Sequence, residues 1–185
     1  SPEAVPVAVQ TALAHSNEAN LRVGFTGGSN VKIGQSVQIR VEANRPGYVV
    51  LFDITPDGKI TQIFPNARSL ATPTGGRASG NHVQPGKPMV IPDRSPYAGF
   101  EYVIDPPVGE GTLTAVLADK PITTVDVPPT PRALGEPEEA VQYIARMADE
   151  LRDLIVKPAA SAGGKPAAVA NANWSVASFK YRIVK

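Results

Sequence analysis

The side chains best suited to acid–base catalysis in this sequence are its two histidines, His15 and His82. A serine hydrolase needs such a base beside a nucleophile and an orienting group. Serines are plentiful, but the Gly-x-Ser-x-Gly pattern of a nucleophile elbow does not occur. Both histidines lie in segments without strand or helix periodicity, and we interpret them as solvated loop residues. The sequence therefore predicts no catalytic residue and no enzyme.

Metal and cofactor sites are also not predicted. The chain has no cysteine, and two distant histidines give no zinc spacing. The stretch "DITPDGK" contains Asp53 and Asp57 but lacks the further ligands and the closing Glu of a calcium loop. Asp57 with Gly58 is typical of a hairpin turn. For Asp53 we expect an inward or edge position that requires a hydrogen-bond partner.

Phosphate, nucleic-acid and membrane classes are disfavoured by composition and pattern. Three glycine-rich pieces, "TGGSN", "PTGGRASGN" and "SAGGKP", do not match a phosphate-binding loop. The formal net charge is +1, whereas nucleic-acid partners usually go with a basic excess. No apolar run is long enough to span a bilayer, and no signal peptide is visible. The chain starts at Ser1 without Met, which we interpret as a processed or truncated form.

The elements that would position any site are mostly strands. Apolar alternation or continuous apolar runs predict strands at 21–26, 36–44, 47–54, 59–64, 88–93, 99–104 and 109–121, with a closing strand at 174–184. The strand at 47–54 is apolar on both parities except for Asp53, as expected of a strand covered on both faces. Trp174 is interpreted as a core or edge packing residue. Between strands, 66–88 is a long polar stretch rich in Gly, Pro and Ser.

One amphipathic helix is predicted over 137–156. Its apolar residues recur at a spacing of three and four positions: Val141, Ile144, Ala148, Leu151 and Ile155. Pro137 suits the first helical turn and Pro158 ends the helix. Residues 1–20 are expected to form a linker or an edge segment, and 158–172 a flexible low-complexity stretch. The remainder, 21–185, is expected to be one domain.

These elements predict a mainly β fold. An immunoglobulin-like antiparallel β-sandwich with the helix packed on its flank accounts for the strand spacing and the turns. A small closed β-barrel is the alternative, because both architectures give alternating strands joined by Gly and Pro turns.

The block from Val31 to Pro121 resembles DUF4384, a bacterial domain of unknown function. The resemblance is carried by five features: Gly34 with Val37, Tyr48 with Asp57-Gly58, Phe64-Pro65-Asn66, Ile91-Pro92, and Lys120-Pro121. The helix and the closing strand lie outside this block. Membership implies an exported or envelope protein, or an appendage to a caspase-like peptidase or kinase domain, without assigned catalytic residues.

We therefore expect a non-catalytic protein-interaction or accessory module of a bacterial envelope or secreted protein, located in the periplasm or outside the cell. The alternative is a regulatory or substrate-recruiting domain of a multidomain caspase-like peptidase or kinase. The expected partner is a protein, with a glycan as the second class.

The predicted contact surface lies on two loops, 66–88 and 92–99, because long loops on a rigid sandwich commonly carry binding residues. The candidate partner-binding residues are Asn66, Arg68, Arg77, His82, Arg94 and Tyr97. A second mode of binding is open to an exposed edge strand, the last one in particular, which could accept a partner strand.

Overall fold

The computed structural model describes residues 1–70, 81–93, 100–156 and 174–185. Within these ranges the helices are α1 (Ala4–Leu13), α2 (Ala67–Leu70) and α3 (Pro137–Val156). The strands are β1 (Arg22–Phe25), β2 (Asn30–Lys32), β3 (Ser36–Val37), β4 (Ile39–Glu42), β5 (Gly47–Ile54), β6 (Ile60–Phe64), β7 (His82–Val83), β8 (Met89–Ile91), β9 (Tyr102–Val103), β10 (Gly109–Ala118), β11 (Arg132–Ala133) and β12 (Trp174–Val184).

A large sheet forms the centre of the fold. Its strands lie in the order β11-β6-β5-β10-β12-β2, and β7 pairs with β5 beside β6. All pairings are antiparallel except that of β12 with β2. The hairpin between β5 and β6 forms as predicted, because Gly58 adopts a φ of 83° and the N–H of Thr55 donates to the C=O of Lys59 at 2.9 Å.

A small sheet, β1-β4-β8, packs on one face of the large sheet. Ile39 and Val41 of β4 are fully buried there, together with Leu51 of β5 and Leu113 of β10. Strand β3 leads into β4 and pairs with β9 as a two-stranded ribbon. Burying an aliphatic side chain of this size contributes about 1.5–3 kcal/mol, so this layer is a principal source of stability.

Helices α1 and α3 cover the opposite face of the large sheet. The buried face of α3 carries Ala140, Ile144, Met147, Ala148 and Leu151, which pack with Val50, Phe52 and Val116 of the sheet. Trp174 belongs to the same cluster, as expected for a packing residue. The alternation of β5 thus serves two cores, because its odd residues face the small sheet and its even residues face the helices.

Helix α1 occupies a region for which a linker or an edge segment was expected. Val5, Val9 and Leu13 recur every four residues and are buried against α3 and the sheet. Pro6 lies within the first turn, where backbone N–H groups have no partner inside the helix, so proline is tolerated. A short helix beginning among prolines gives little periodic signal, and its burial depends on α3, which follows more than a hundred residues later.

The described residues therefore build three layers: the small sheet, the large sheet and the helices. The prediction of a mainly β-sandwich with a helix packed on it is confirmed, and the sheets of the described chain do not close into a barrel. The predicted strand at 99–104 is reduced to Tyr102–Val103, and the polar stretch at 66–88 contains α2 and β7. No helix in the described ranges is long and apolar enough to cross a membrane.

Candidate functional site

Asp53 is the one acidic or basic residue that is buried in the described part of the chain. It lies on β5 with only 2% of its surface exposed, on the face that packs against the small sheet. A carboxylate in this position needs hydrogen-bond donors to offset the loss of water. The hydroxyl of Tyr181 donates to Oδ1 at 2.6 Å, and the hydroxyl of Tyr102 makes a short hydrogen bond to Oδ2. The expectation that Asp53 requires a hydrogen-bond partner is confirmed.

Burial controls the titration of Asp53, Tyr102 and Tyr181, which together form the Asp53 cluster. It raises the pKa of Asp53 from 3.8 to about 6, and the hydrogen bonds from Tyr102 and Tyr181 lower this pKa only in part. Burial also raises the pKa of both tyrosines, with the nearby Asp53 carboxylate acting in the same direction. Both hydroxyls consequently stay protonated and both can donate to the ionised carboxylate.

Gly111 makes the contact between Tyr181 and Asp53 geometrically feasible. It is the cross-strand partner of Tyr181 on β10, the strand that separates β12 from β5. A Cβ atom on Gly111 would lie 2.3 Å from Cζ of Tyr181, so the ring crosses β10 over the bare backbone of this glycine. An aromatic ring covering a strand glycine is a known stabilising arrangement in sheets.

The Asp53 cluster is built to hold strands together. Its three side chains come from β5, β9 and β12, and each carboxyl oxygen already accepts a tyrosine hydroxyl. A general base must be within hydrogen-bond reach of a substrate proton, whereas Asp53 is buried and a tyrosine hydroxyl lies on each of its carboxyl oxygens. We assign the cluster to the attachment of the short strand β9 to the sandwich.

The predicted partner-binding residues that the structure describes have different roles. Asn66 is fully buried and its amide caps α2: Nδ2 donates to the C=O of Ile63 at 2.7 Å, and Oδ1 accepts the N–H of Ser69 at 2.9 Å. Its side chain is therefore not offered to a partner. Arg68 is exposed on α2. Arg77, Arg94 and Tyr97 lie outside the described residues.

The two histidines occupy unlike positions. His15 is exposed in the loop after α1, as expected, and its ring stacks on Trp174 with 3.7 Å between centroids. His82 is not a solvated loop residue. It lies in β7, half-buried, with its ring 4.9 Å from that of Tyr48, because β7 pairs with β5 at this point. Nothing in the described geometry brings the two histidines together.

Strand β12 has an edge that is open in the described structure. It pairs with β10 over residues 174–183, whereas β2 covers its other side only over 182–184. At the other end, the N–H of Ala19 donates to Oγ of Ser175 at 3.1 Å, so the chain around Ala19 closes the edge there. The open stretch consequently spans 176–180.

The backbone groups on this edge can be assigned from their neighbours. The N–H of Arg182 and the C=O of Val184 hydrogen-bond on the β2 side, at 2.8 Å and 3.1 Å. Backbone groups of a strand alternate in direction from residue to residue, so those of Val176, Ser178 and Lys180 also point away from β10. No residue in the described ranges hydrogen-bonds to these backbone groups. Because they have no hydrogen-bond partner among the described residues, these groups can pair with one more strand.

The sequence only partly anticipated this site. It identified the closing strand and its basic outer face. It did not show that β12 lies between β10 and β2, or that the side facing β2 is covered only near the two ends of the strand. The hydrogen-bond partners of Asp53 were also missed, although Tyr102 and Tyr181 each stand in an alternating stretch. Alternation indicates a strand, but does not indicate which strand it will pair with.

Several of the motifs that carry the family resemblance lie in turns, at strand ends and at a helix cap. Gly34 and Gly58 turn the chain with φ values of 85° and 83°. Pro65 and Pro92 each follow a cis peptide bond, and Asn66 caps α2. The shared motifs therefore shape turns and strand ends of the sandwich.

Comparison with known proteins agrees with that resemblance. No curated protein and no solved structure matched the chain. Residues 30–121, which extend from β2 to just beyond β10, match the family profile of DUF4384, described as a domain of unknown function. The chain therefore carries a domain of the DUF4384 family.

Proposed function

We propose that this chain is a non-catalytic protein-interaction module that binds an extended segment of a partner protein along β12. The observation that carries the proposal is the open edge at 176–180, where the backbone groups of Val176, Ser178 and Lys180 lack partners among the described residues. Exposed edges pair readily with added strands, and several families of binding domains use them in this way.

Two features of the fold support binding over catalysis. The buried carboxyl group of Asp53 is occupied by two tyrosine hydroxyls, and each histidine packs on an aromatic ring. In the described ranges no group of three or more His, Cys, Asp or Glu side chains could hold a metal ion. Following the family resemblance, we place the partner in the envelope or the extracellular space of a bacterium.

Strand addition at this edge requires side-chain contacts as well as backbone pairing. Each new backbone hydrogen bond contributes about 0.5–1.5 kcal/mol. Ordering a free segment and restricting its motion cost several kcal/mol. Because the open stretch is short, backbone pairing alone gives weak binding, and the side chains beside it determine which segment is held.

The test is a selection from a displayed library of random peptides about ten residues long, with this chain as the bait. Ser178→Pro removes an N–H from the open edge and leaves the bonds to β10 in place, since proline is tolerated where the N–H faces solvent. Ser178→Ala is the matched control, because it keeps the N–H. Unfolding curves of both variants check that the fold persists.

We expect enriched peptides to bind the wild-type chain and Ser178→Ala, and to lose at least tenfold in affinity on Ser178→Pro. They should also slow hydrogen exchange at the amides of Val176, Ser178 and Lys180. If no peptide is enriched, or if the enriched peptides bind Ser178→Pro unchanged, the edge is not the binding site and the proposal is wrong.

A further inference from the structure

The side chains along the open edge differ sharply between the two faces of β12. Val176, Ser178 and Lys180 point toward the helix side of the large sheet, and Ala177 and Phe179 point toward the small sheet. An added strand would place its own alternating residues beside these two sets. Each face therefore imposes its own requirement on the bound segment.

The helix-side face is basic near the open edge. Lys180 and Arg182 are two residues apart on β12 and are both exposed. Lys32 is on the same face, because it is the register partner of Val184 in the parallel pair of β12 with β2. Glu110 is the one acidic side chain on the strands beside them, with Oε1 at 3.6 Å from Nζ of Lys180. Three cations thus face a single carboxylate.

The face of β12 toward the small sheet favours an apolar side chain on an added strand. Phe179 is half-buried, and its ring meets that of Phe25 edge to face with 5.9 Å between centroids. Ala177 beside it is also half-buried. An apolar side chain on an added strand would cover the exposed parts of both residues, which favours binding through buried apolar area.

A second copy of this chain fits the edge poorly. Pairing two β12 edges would bring the basic faces of both copies together, and like charges on neighbouring strands are destabilising. Lysine on an edge strand is a common means of preventing self-association. The charge on this face consequently favours a partner segment of opposite sign over another copy of the chain.

We propose that the open edge of β12 selects an extended segment with acidic side chains on one face and apolar side chains on the other. This inference rests on the proposed function, because it specifies the chemistry of the segment that the edge would hold. The acidic side chains lie beside Lys180, with Arg182 at the diagonal position next to β2, and the apolar ones lie beside Ala177 and Phe179.

Three terminally blocked peptides of about six residues serve as probes. In each, Val occupies every second position, and the positions between carry Glu in the acidic probe, Gln in the neutral probe and Lys in the basic probe. Binding is measured by titrating the isotope-labelled chain and following the amide signals of Val176, Ser178 and Lys180. We expect the acidic probe to bind about 3- to 10-fold more tightly than the neutral probe, and this preference to shrink in high salt.

Charge reversal makes the test specific. With Lys180→Glu and Arg182→Glu combined, we expect the basic probe to become the tightest binder. Lys87→Glu, which reverses an exposed charge in the turn before β8, is the matched control and should leave the order unchanged. Ser178→Pro should weaken binding of all three probes.

The outcomes distinguish the preference for acidic segments from strand addition itself, which is the proposed function. If the probes bind with equal affinity, and Ser178→Pro weakens all of them, strand addition stands and the acidic preference is wrong. If the acidic probe binds Ser178→Pro as tightly as the wild-type chain, if the acidic preference persists on the charge-reversed chain, or if no probe binds, the inference is wrong. Dimerisation that Ser178→Pro abolishes, seen by sedimentation, would also overturn it, because the edge would then hold a second copy.

Discussion

Protonation of Asp53 offers a sharp test of the way the sandwich is held together. In the folded chain its pKa is raised to about 6 by burial, against 3.8 for an ordinary aspartate. The folded state therefore binds the proton more tightly than the unfolded state does. Replacing Asp53 with Asn leaves a neutral side chain that accepts one tyrosine hydroxyl and donates to the other, as the protonated acid does.

The sign and size of the effect follow from linkage. Between pH 6 and pH 3.8 the folded chain holds more protons than the unfolded chain, so this group makes the protein more stable as the pH falls. At about 1.4 kcal/mol per pKa unit, the shift amounts to about 3 kcal/mol over the full window. Above pH 6 the carboxylate is charged in both states and its contribution is constant.

The assay is urea unfolding of wild type and Asp53→Asn at a series of pH values between about 7.5 and about 4. Subtracting the free energy of unfolding of Asp53→Asn from that of wild type at each pH cancels the contributions of groups that titrate alike in both proteins. We expect wild type to gain about 3 kcal/mol relative to Asp53→Asn as the pH is lowered.

A matched control is Asp149→Asn, which neutralises an exposed carboxylate that is paired with Arg152 at 3.1 Å on α3. Its difference from wild type should stay within about 1 kcal/mol at every pH, because exposed ion pairs contribute little. If the Asp53→Asn difference is flat, or if wild type loses stability relative to it in acid, the carboxyl group is not held as the structure indicates.

Three further substitutions test other contacts by urea unfolding at neutral pH. Gly111→Ala would place a Cβ 2.3 Å from Cζ of Tyr181 and drive its ring away from the buried carboxylate; we expect a loss of about 2–4 kcal/mol, and a loss below about 0.5 kcal/mol would contradict the packing. Glu150→Gln replaces one accepting oxygen with an NH2 donor that faces the N–H and hydroxyl donors of a threonine, which lie 2.6–2.9 Å from the carboxylate; a loss of about 1–2 kcal/mol is expected, whereas an unchanged midpoint would show that these bonds are not stabilising. Tyr143→Phe removes the hydroxyl that donates to Oε1 of buried Gln62 at 2.8 Å; about 1–2 kcal/mol is expected, and a neutral result would mean that water replaces it.

The features predicted correctly depend on residues close together in the chain. The hairpin at Asp57-Gly58 is specified by the turn residues themselves, and α3 by a spacing that recurs over about four turns. The need of Asp53 for a hydrogen-bond partner also follows locally, because it is the one charged residue in an apolar strand. In each case the sequence signal and the structural cause lie within the same few residues.

The features that were missed depend on distant pairing. Helix α1 is stabilised by α3, the hydroxyl groups that satisfy Asp53 come from β9 and β12, and the glycine under Tyr181 belongs to a third strand. Alternation alone gives the two faces of a strand but not its neighbours. The buried position of Asn66 was missed for a similar reason: an Asn after Pro resembles a loop residue, and its use as a helix cap becomes visible only when α2 is seen.

The position of β12 relates the family match to the proposed binding edge. The matched residues, 30–121, include both β2 and β10, yet these two strands do not touch each other, because β12 lies between them and pairs with both. The large sheet is therefore completed by a strand from outside the matched region. Strand β10 is buried along nearly its whole length and would expose its unpaired side without β12. It follows that the DUF4384 region of this chain and its closing strand form one structural unit, and that the edge we propose for binding belongs to the strand that completes it.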